Sequence, residues 1–237
     1  FYETFDDDAV VSSRALDITL TSRGMGKALK VPMAGVPAHA LEPYLVRLIQ
    51  SGHKVAICEQ LSDPSNSSGL LERGVVRLVT PGTVVETGLL EQNSNNYLVS
   101  IFRNGQEAGL AFVDASTGEF AATQLSTDKI GLELLRLNPA EILIPKGSGE
   151  DRLFNSEELN NSKYNATEVD PFAFDVNLSR ESLLSHFRIF TLESLGLADQ
   201  PLAVRAAGSI LYYLSQTYKS AIPRLSMLSA YSVADFM

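Results

Sequence analysis

Phe1-Tyr2-Glu3 sets an aromatic ring and a carboxylate two residues apart. In an extended chain successive side chains alternate, so Phe1 and Glu3 leave one face and Tyr2 the other. The ring is then free to stack on a flat partner while the carboxyl group hydrogen-bonds to that partner's edge. Arg23, beside Gly24 in a loop that follows a strand, is suited to an anionic oxygen such as a phosphate. Met33 offers a polarisable surface for packing against a ring, and it would serve a core equally well. A second set of groups has different chemistry. Asp114, with Glu119 or Asp170, supplies carboxylates of the kind that hold two metal ions for phosphodiester hydrolysis. The run Asp114 to Gly118 also reads as a hairpin turn, where Asp and Gly are expected for backbone reasons.

The remaining motifs fail on spacing. Gly24-Met25-Gly26-Lys27 is no phosphate loop, since Ala28 stands where a metal-binding Ser or Thr is required, and no G-x-x-x-x-G-K-[ST] run occurs in the sequence. His39, His53 and His186 are scattered, without the paired spacing of a zinc site. Cys58 is the single cysteine, which excludes an intrachain disulfide, and its neighbours Val55, Ala56 and Ile57 predict a buried strand thiol.

The elements that must position Phe1 and Glu3 form a small α/β unit. Phe1–Phe5 is predicted as a strand, Asp8 as the cap of a helix, and Ile18–Ser22 as a second strand. A helix follows from about His39, with Pro43 in its first turn and Gly52 as its stop. Lys54–Glu59 and Gly74–Val79 are predicted to complete one mixed sheet, with the polar loop Ser62–Gly69 between them. Glu86–Asn96 reads as a linker. Beyond it, three strands within 97–125 are joined at Asn104-Gly105 and Thr117-Gly118, then come a helix at Ile130–Leu137 and a strand at Glu141–Ile144. From Gly196 the chain turns helical, with Leu202, Ala206, Ser209, Ile210, Tyr213 and Leu214 in helical rows. The expected domains are therefore 1–92, 93–195 and 196–237.

A chain of 237 residues that is 45% hydrophobic can bury one large core or two ordinary ones. It contains no apolar run approaching the roughly 20 residues of a membrane span and no signal-peptide pattern; the expected location is the cytoplasm. The formal net charge of -9 argues against a generic nucleic-acid surface. The acidity is concentrated between residues 93 and 195, where 15 Asp and Glu face 8 Lys and Arg. A surface that binds nucleic acid selectively gains discrimination by limiting its sequence-independent attraction to phosphates.

The succession Phe1–Phe5, Asp6-Asp7-Asp8, Leu16–Gly24, Pro32–His39, Val55–Gln60, Asp63-Pro64 and Val79–Thr83, with Arg205-Ala206-Ala207-Gly208 further on, resembles the N-terminal part of the MutS family of DNA mismatch-repair proteins. The resemblance implies an α/β mismatch-recognition domain, a ribonuclease-H-like α/β connector domain, and the truncated start of an all-helical core and lever region. It implies that Phe1 enters the minor groove and stacks on a mispaired or bulged base, that Glu3 hydrogen-bonds to that base, and that Met33 packs beside it; nearby phosphates and desolvation would favour the neutral form of Glu3, and Arg23 is placed to reach a phosphate. The wedge overcomes an unstacking cost of about a few kcal/mol, which is lower at a mismatch. Expected partners are double-stranded DNA with mismatches or small insertion or deletion loops, and MutL through the connector. In the family the full-length protein is a homodimer and a DNA-dependent ATPase that uses ATP and Mg. The segment is expected to be monomeric, to lack catalytic activity, cofactor and metal, and to be truncated at both ends. A bacterial, nucleoid-associated cytoplasmic protein is expected. Two alternatives remain open: a metal-dependent nuclease built on Asp114, and a pure protein-interaction module.

Overall fold

The computed structural model describes residues 1–25, 29–61, 72–83, 95–148, 164–218, 222 and 224–232. They form two compact units, one within Phe1–Val79 and the other containing Thr80–Thr83 and the described residues from Asn95 onward. The α/β class is as the sequence predicts.

In the first unit, strand β1 (Tyr2–Phe5) runs without a loop into helix α1 (Asp6–Leu16). The corner is Asp6, at φ 53°, a left-handed conformation that the short polar Asp side chain tolerates better than most. Asp6, Asp7 and Asp8 fill the first turn of α1, where the helix dipole favours negative charge. The helix therefore starts ahead of the expected cap at Asp8, and no side chain caps it. Strands β2 (Thr21–Met25) and β3 (Leu29–Val36) complete an antiparallel sheet in the order β1-β3-β2. Helix α2 (Leu41–Gln50) carries Pro43 in its first turn, and Gly52, at φ 81°, follows its end.

Strands β4 (Val55–Gln60) and β5 (Arg73–Val79) pair antiparallel with each other as a separate ribbon, with a register shift at Ile57/Cys58. Two antiparallel sheets thus stand where one mixed sheet was expected. Alternation along β4 turns Val55, Ile57 and Glu59 inward and leaves Cys58 exposed with Ala56 and Gln60, which corrects the reading of Cys58 as a buried thiol. The predicted loop at 62–69 and most of the predicted linker at 86–96 lie outside the described residues.

The second unit is a six-stranded sheet. Strands β6 (Tyr97–Asn104), β7 (Glu107–Asp114) and β8 (Phe120–Ser126) form an antiparallel meander, with Gly105 at φ 63° and Gly118 at φ 82° in its turns. Helix α3 (Ile130–Leu137) leads to β9 (Glu141–Pro145), parallel to β6; β10 (Ala166–Val169) adds beyond β9, and β11 (Ser229–Ala230) lies beside β8. The resulting order is β10-β9-β6-β7-β8-β11. A meander extended in parallel from its first strand is the arrangement expected of a ribonuclease-H-like domain.

Strand alternation divides the core in two. Val99, Ile101, Leu110, Phe112, Ile142 and Ile144 pack with α3 on one face. Leu98, Ala111, Val113 and Leu143 pack on the other with helices α4 (Val176–Phe187) and α5 (Pro201–Thr217). Helix α5 is thus part of this core rather than the opening of a separate domain from 196. It is apolar around most of its circumference because the sheet covers one side and α4 the other. Two glycines permit that approach: a Cβ on Gly109 of β7 would lie 1.9 Å from the Leu202 carbonyl oxygen, and one on Gly208 would lie 2.3 Å from Ser179 Cβ. Gln124 of β8 accepts from the Leu202 N–H at 3.0 Å, satisfying a free donor in the first turn of α5.

Two buried carboxylates hold tyrosines. Tyr213 donates to Glu141 at 2.8 Å and Tyr231 to Glu133 at 3.0 Å. Burial, then the neighbouring carboxylate, pushes each phenol well above its ordinary 10.0. Both must stay neutral in the folded protein, whereas in the unfolded chain they ionise near pH 10. The stability they contribute is intact below about pH 10 and is lost above it, at up to about 1.4 kcal/mol per pH unit for each tyrosine. Unfolding titrations between about pH 9 and 12 should show this decline, and Tyr213→Phe with Tyr231→Phe should flatten it; an equal slope in the double variant would assign alkaline unfolding to other groups.

Candidate nucleic-acid interface

The middle strand β3 sets the register of its neighbours. Glu3 lies opposite Gly35, Phe5 and Thr21 opposite Met33, and Arg23 opposite Val31. Directly opposed residues of an antiparallel pair point to the same side, so Glu3, Gly35, Met33 and Arg23 share one face. Phe1 precedes β1, and the strand's alternation carried back one residue assigns it to the same face. The opposite face is anchored: Thr4 Oγ1 lies 2.7 Å from Ser12 Oγ of α1, and the Tyr2 hydroxyl donates to Glu59 of β4. Alternation along β1 thus separates an anchored row from a presented one.

Phe1 is 84% exposed. Arg23 Nη1 donates to Glu3 Oε2 at 2.9 Å, and the two side chains remain 57% and 31% exposed. A pair this open to water contributes about 0–1 kcal/mol, so it orients the carboxylate without locking it. Arg23 belongs to β2 rather than to a loop. Met33 is half-buried in a row with Phe5 and Thr21, so it packs within the sheet on the same face.

Glu3 and Arg23 therefore meet at the surface, Phe1 is exposed two residues before Glu3, and Met33 packs in the same sheet. Two features escaped sequence reasoning. The Glu3–Arg23 pair depends on β1 and β2 flanking the same strand, which no local pattern encodes. Gly35 opposite Glu3 is the other: a Cβ there would come within 3.2 Å of the Tyr2 carbonyl oxygen and 3.5 Å of Glu3 Cγ. A glycine inside a strand marks such a close approach, and that signal was present in Met33-Ala34-Gly35.

The carboxylates of the second unit have structural partners. Asp114 Oδ1 accepts from the Ser116 N–H and hydroxyl and from the Thr117 N–H, while Oδ2 accepts from the Asn96 N–H. This is the side-chain-stabilised turn that holds the β7–β8 hairpin. Glu119 accepts from the Tyr97 hydroxyl, and Asp170 caps the short helical turn at 171–174. Among the described residues no three His, Cys, Asp or Glu side chains cluster to hold a metal ion.

The family model for MutS domain I matches residues 1–88 and that for MutS domain II matches residues 96–228. The chain belongs to the MutS family. DNA mismatch repair protein MutS of Dehalococcoides mccartyi is 48% identical over 240 residues, that of Methanococcoides burtonii 43% over 243, and that of Halothermothrix orenii 41% over 241; each alignment covers 100% of this chain. The chain spans only 26–27% of the length of these MutS relatives. The presented face of β1 lies within MutS domain I. The MutS domain II match runs through α5, in keeping with its place in the second core. No helix among the described residues is long and apolar enough to cross a membrane.

Proposed function

We infer that this segment recognises mismatched base pairs in duplex DNA, with Phe1 as the stacking wedge and Glu3 as the group that hydrogen-bonds to the displaced base. The observation that carries this reading is the position of Phe1 two residues before Glu3, whose carboxylate is presented beside Arg23 on one sheet face, in a MutS domain I. An aromatic wedge gains most by inserting where stacking is already weakened. Arg23 lies close enough to serve a neighbouring phosphate, and Met33 supports the strand behind the wedge. The role is binding rather than catalysis: Asp114, Glu119 and Asp170 each hold a turn, cap or strand end. In this reading the ATPase, with its ATP and Mg, and the dimer contacts belong to the part of the MutS length that this chain does not span. MutL would meet the acidic second unit.

The test is a titration of mismatched against matched duplex with a full-length protein that bears this segment. Glu3→Ala should lower discrimination more than total affinity. On mismatched DNA the lost base hydrogen bond and the lost charge repulsion oppose each other, whereas on matched DNA only the repulsion is relieved. Matched-duplex binding should rise by about two- to fivefold, taking roughly 0.5–1 kcal/mol for one exposed charge. Parallel losses on both duplexes would make Glu3 a structural residue.

A further inference from the structure

We propose that Arg23 is a specificity-determining positioning residue that shields Glu3 on matched DNA and releases it at a mismatch. The inference rests on the wedge reading above and goes beyond it, because that reading assigns Arg23 at most a phosphate.

Glu3 is an acid presented towards a polyanion on the same face as Phe1. Left alone, its charge would oppose every approach to DNA, matched or mismatched. Arg23 Nη1, 2.9 Å from Glu3 Oε2, cancels that charge locally. The geometry suits a releasable pair. The two residues sit on the outer strands β1 and β2 with β3 between them, and their β3 partners Gly35 and Val31 are four residues apart. The long arginine must therefore reach along the sheet to meet the carboxylate. Gly35 opposes Glu3 without a side chain, so the carboxylate is not held from below. Both partners remain in water, and breaking such a contact costs no more than about fivefold in an equilibrium constant. A phosphate close to the sheet offers the guanidinium an alternative acceptor of higher charge density. On matched DNA the closed pair presents a neutral edge that tolerates passage. At a mismatch, insertion of Phe1 brings a base edge to Glu3 and the phosphate backbone to Arg23, and the two side chains exchange partners.

The consequence concerns the ratio of mismatched to matched affinity. Removing the guanidinium costs its phosphate contact at a mismatch, but it unmasks Glu3 on matched DNA and abolishes the energy of opening the pair at a mismatch. We expect Arg23→Ala to raise the ratio by about two- to fivefold, the range open to an exposed pair, and Arg23→Lys to restore it in part. In a Glu3→Gln background the rise should disappear and only the fall from the lost phosphate contact should remain, a coupling that a double-mutant cycle reads directly. Titrations of all four proteins in a full-length chain, with one duplex and its single-mismatch counterpart at fixed salt, decide the matter. Equal affinity losses on both duplexes, with the ratio unchanged, would make Arg23 a phosphate contact only and overturn the shield. A rise of the ratio that persists in Glu3→Gln would show that Arg23 acts independently and overturn it equally. A fall in the ratio confined to the Glu3 background would refute release. Failure of the wedge reading has a separate signature, an unaltered ratio in Phe1→Ala, so the two can be told apart.

Discussion

Phe1→Ala should weaken binding to a mismatched duplex by roughly 5- to 150-fold while leaving matched-duplex binding almost unchanged. The range is the roughly 1–3 kcal/mol that a base gains by stacking on an aromatic side chain. Truncation should cost the folded protein little, because the ring is 84% exposed and so contributes almost nothing to a core. Affinity and stability are therefore expected to separate cleanly. Fluorescence anisotropy with labelled duplexes measures the first and thermal unfolding the second. Phe1→Tyr should retain most of the stacking. A Phe1→Ala protein with full preference for the mismatch would place recognition elsewhere and leave the exposed ring unexplained.

Glu141→Ala should lower the stability of the second unit by about 4 kcal/mol or more, the largest effect expected of any single substitution considered. Glu141 has no exposure to solvent, yet four donors converge on it: the Thr80 and Thr167 hydroxyls at 2.5 Å each, the Tyr213 hydroxyl at 2.8 Å and the Gly82 N–H at 3.1 Å. Each hydrogen bond to a charged group contributes about 1.5–3 kcal/mol, and a donor stranded in a dry interior costs about 1–3 kcal/mol. The donors come from the turn at Thr80–Thr83, from β10 and from α5, so one carboxylate ties three elements to the end of β9. Amide hydrogen exchange in β9 and α5 reads the opening energy of this unit by itself and should accelerate by about a thousandfold. Glu141→Gln keeps one acceptor oxygen and should lose about half as much. Exchange unchanged in both variants would show that the carboxylate is incidental to the packing.

The same buried cluster explains why Val79-Thr80-Pro81-Gly82-Thr83 stood out in the sequence without a visible role. A Cβ on Gly82 would meet Glu141 Cβ and Leu98 Cδ1 at 2.9 Å, so the turn can press against the sheet only with glycine there. Nothing local announces that a carboxylate 59 residues away accepts its amide.

Local pattern alone determined a good deal about this protein. Alternation in Phe1-Tyr2-Glu3 was enough to put the ring and the carboxyl group on one face, because the period of a strand is a property of the backbone. Turn chemistry located Gly105 and Gly118, since a positive φ favours glycine for steric reasons. Pro43 and Gly52 bounded α2 for equally local reasons, and the family resemblance carried by short blocks of sequence agreed with the matches to MutS domains I and II. What only the tertiary structure decided were the partnerships between distant segments. Helical rows in 201–217 show that an apolar helix exists, but not that β6, β7, β8 and α4 bury it, so a separate domain was expected where a core helix stands. Apolar neighbours of Cys58 suggested burial, whereas the pairing of β4 with β5 alone turned its side chain outward. Asp114 read equally as a metal-binding carboxylate or a turn residue, and only the tertiary structure shows the four hydrogen bonds by which it holds the hairpin. Arg23 and Glu3 are 20 residues apart and become partners because β3 lies between their strands. Side-chain period and turn preference are encoded within a few residues, whereas the contacts that give a charged group its role depend on where the rest of the chain is folded.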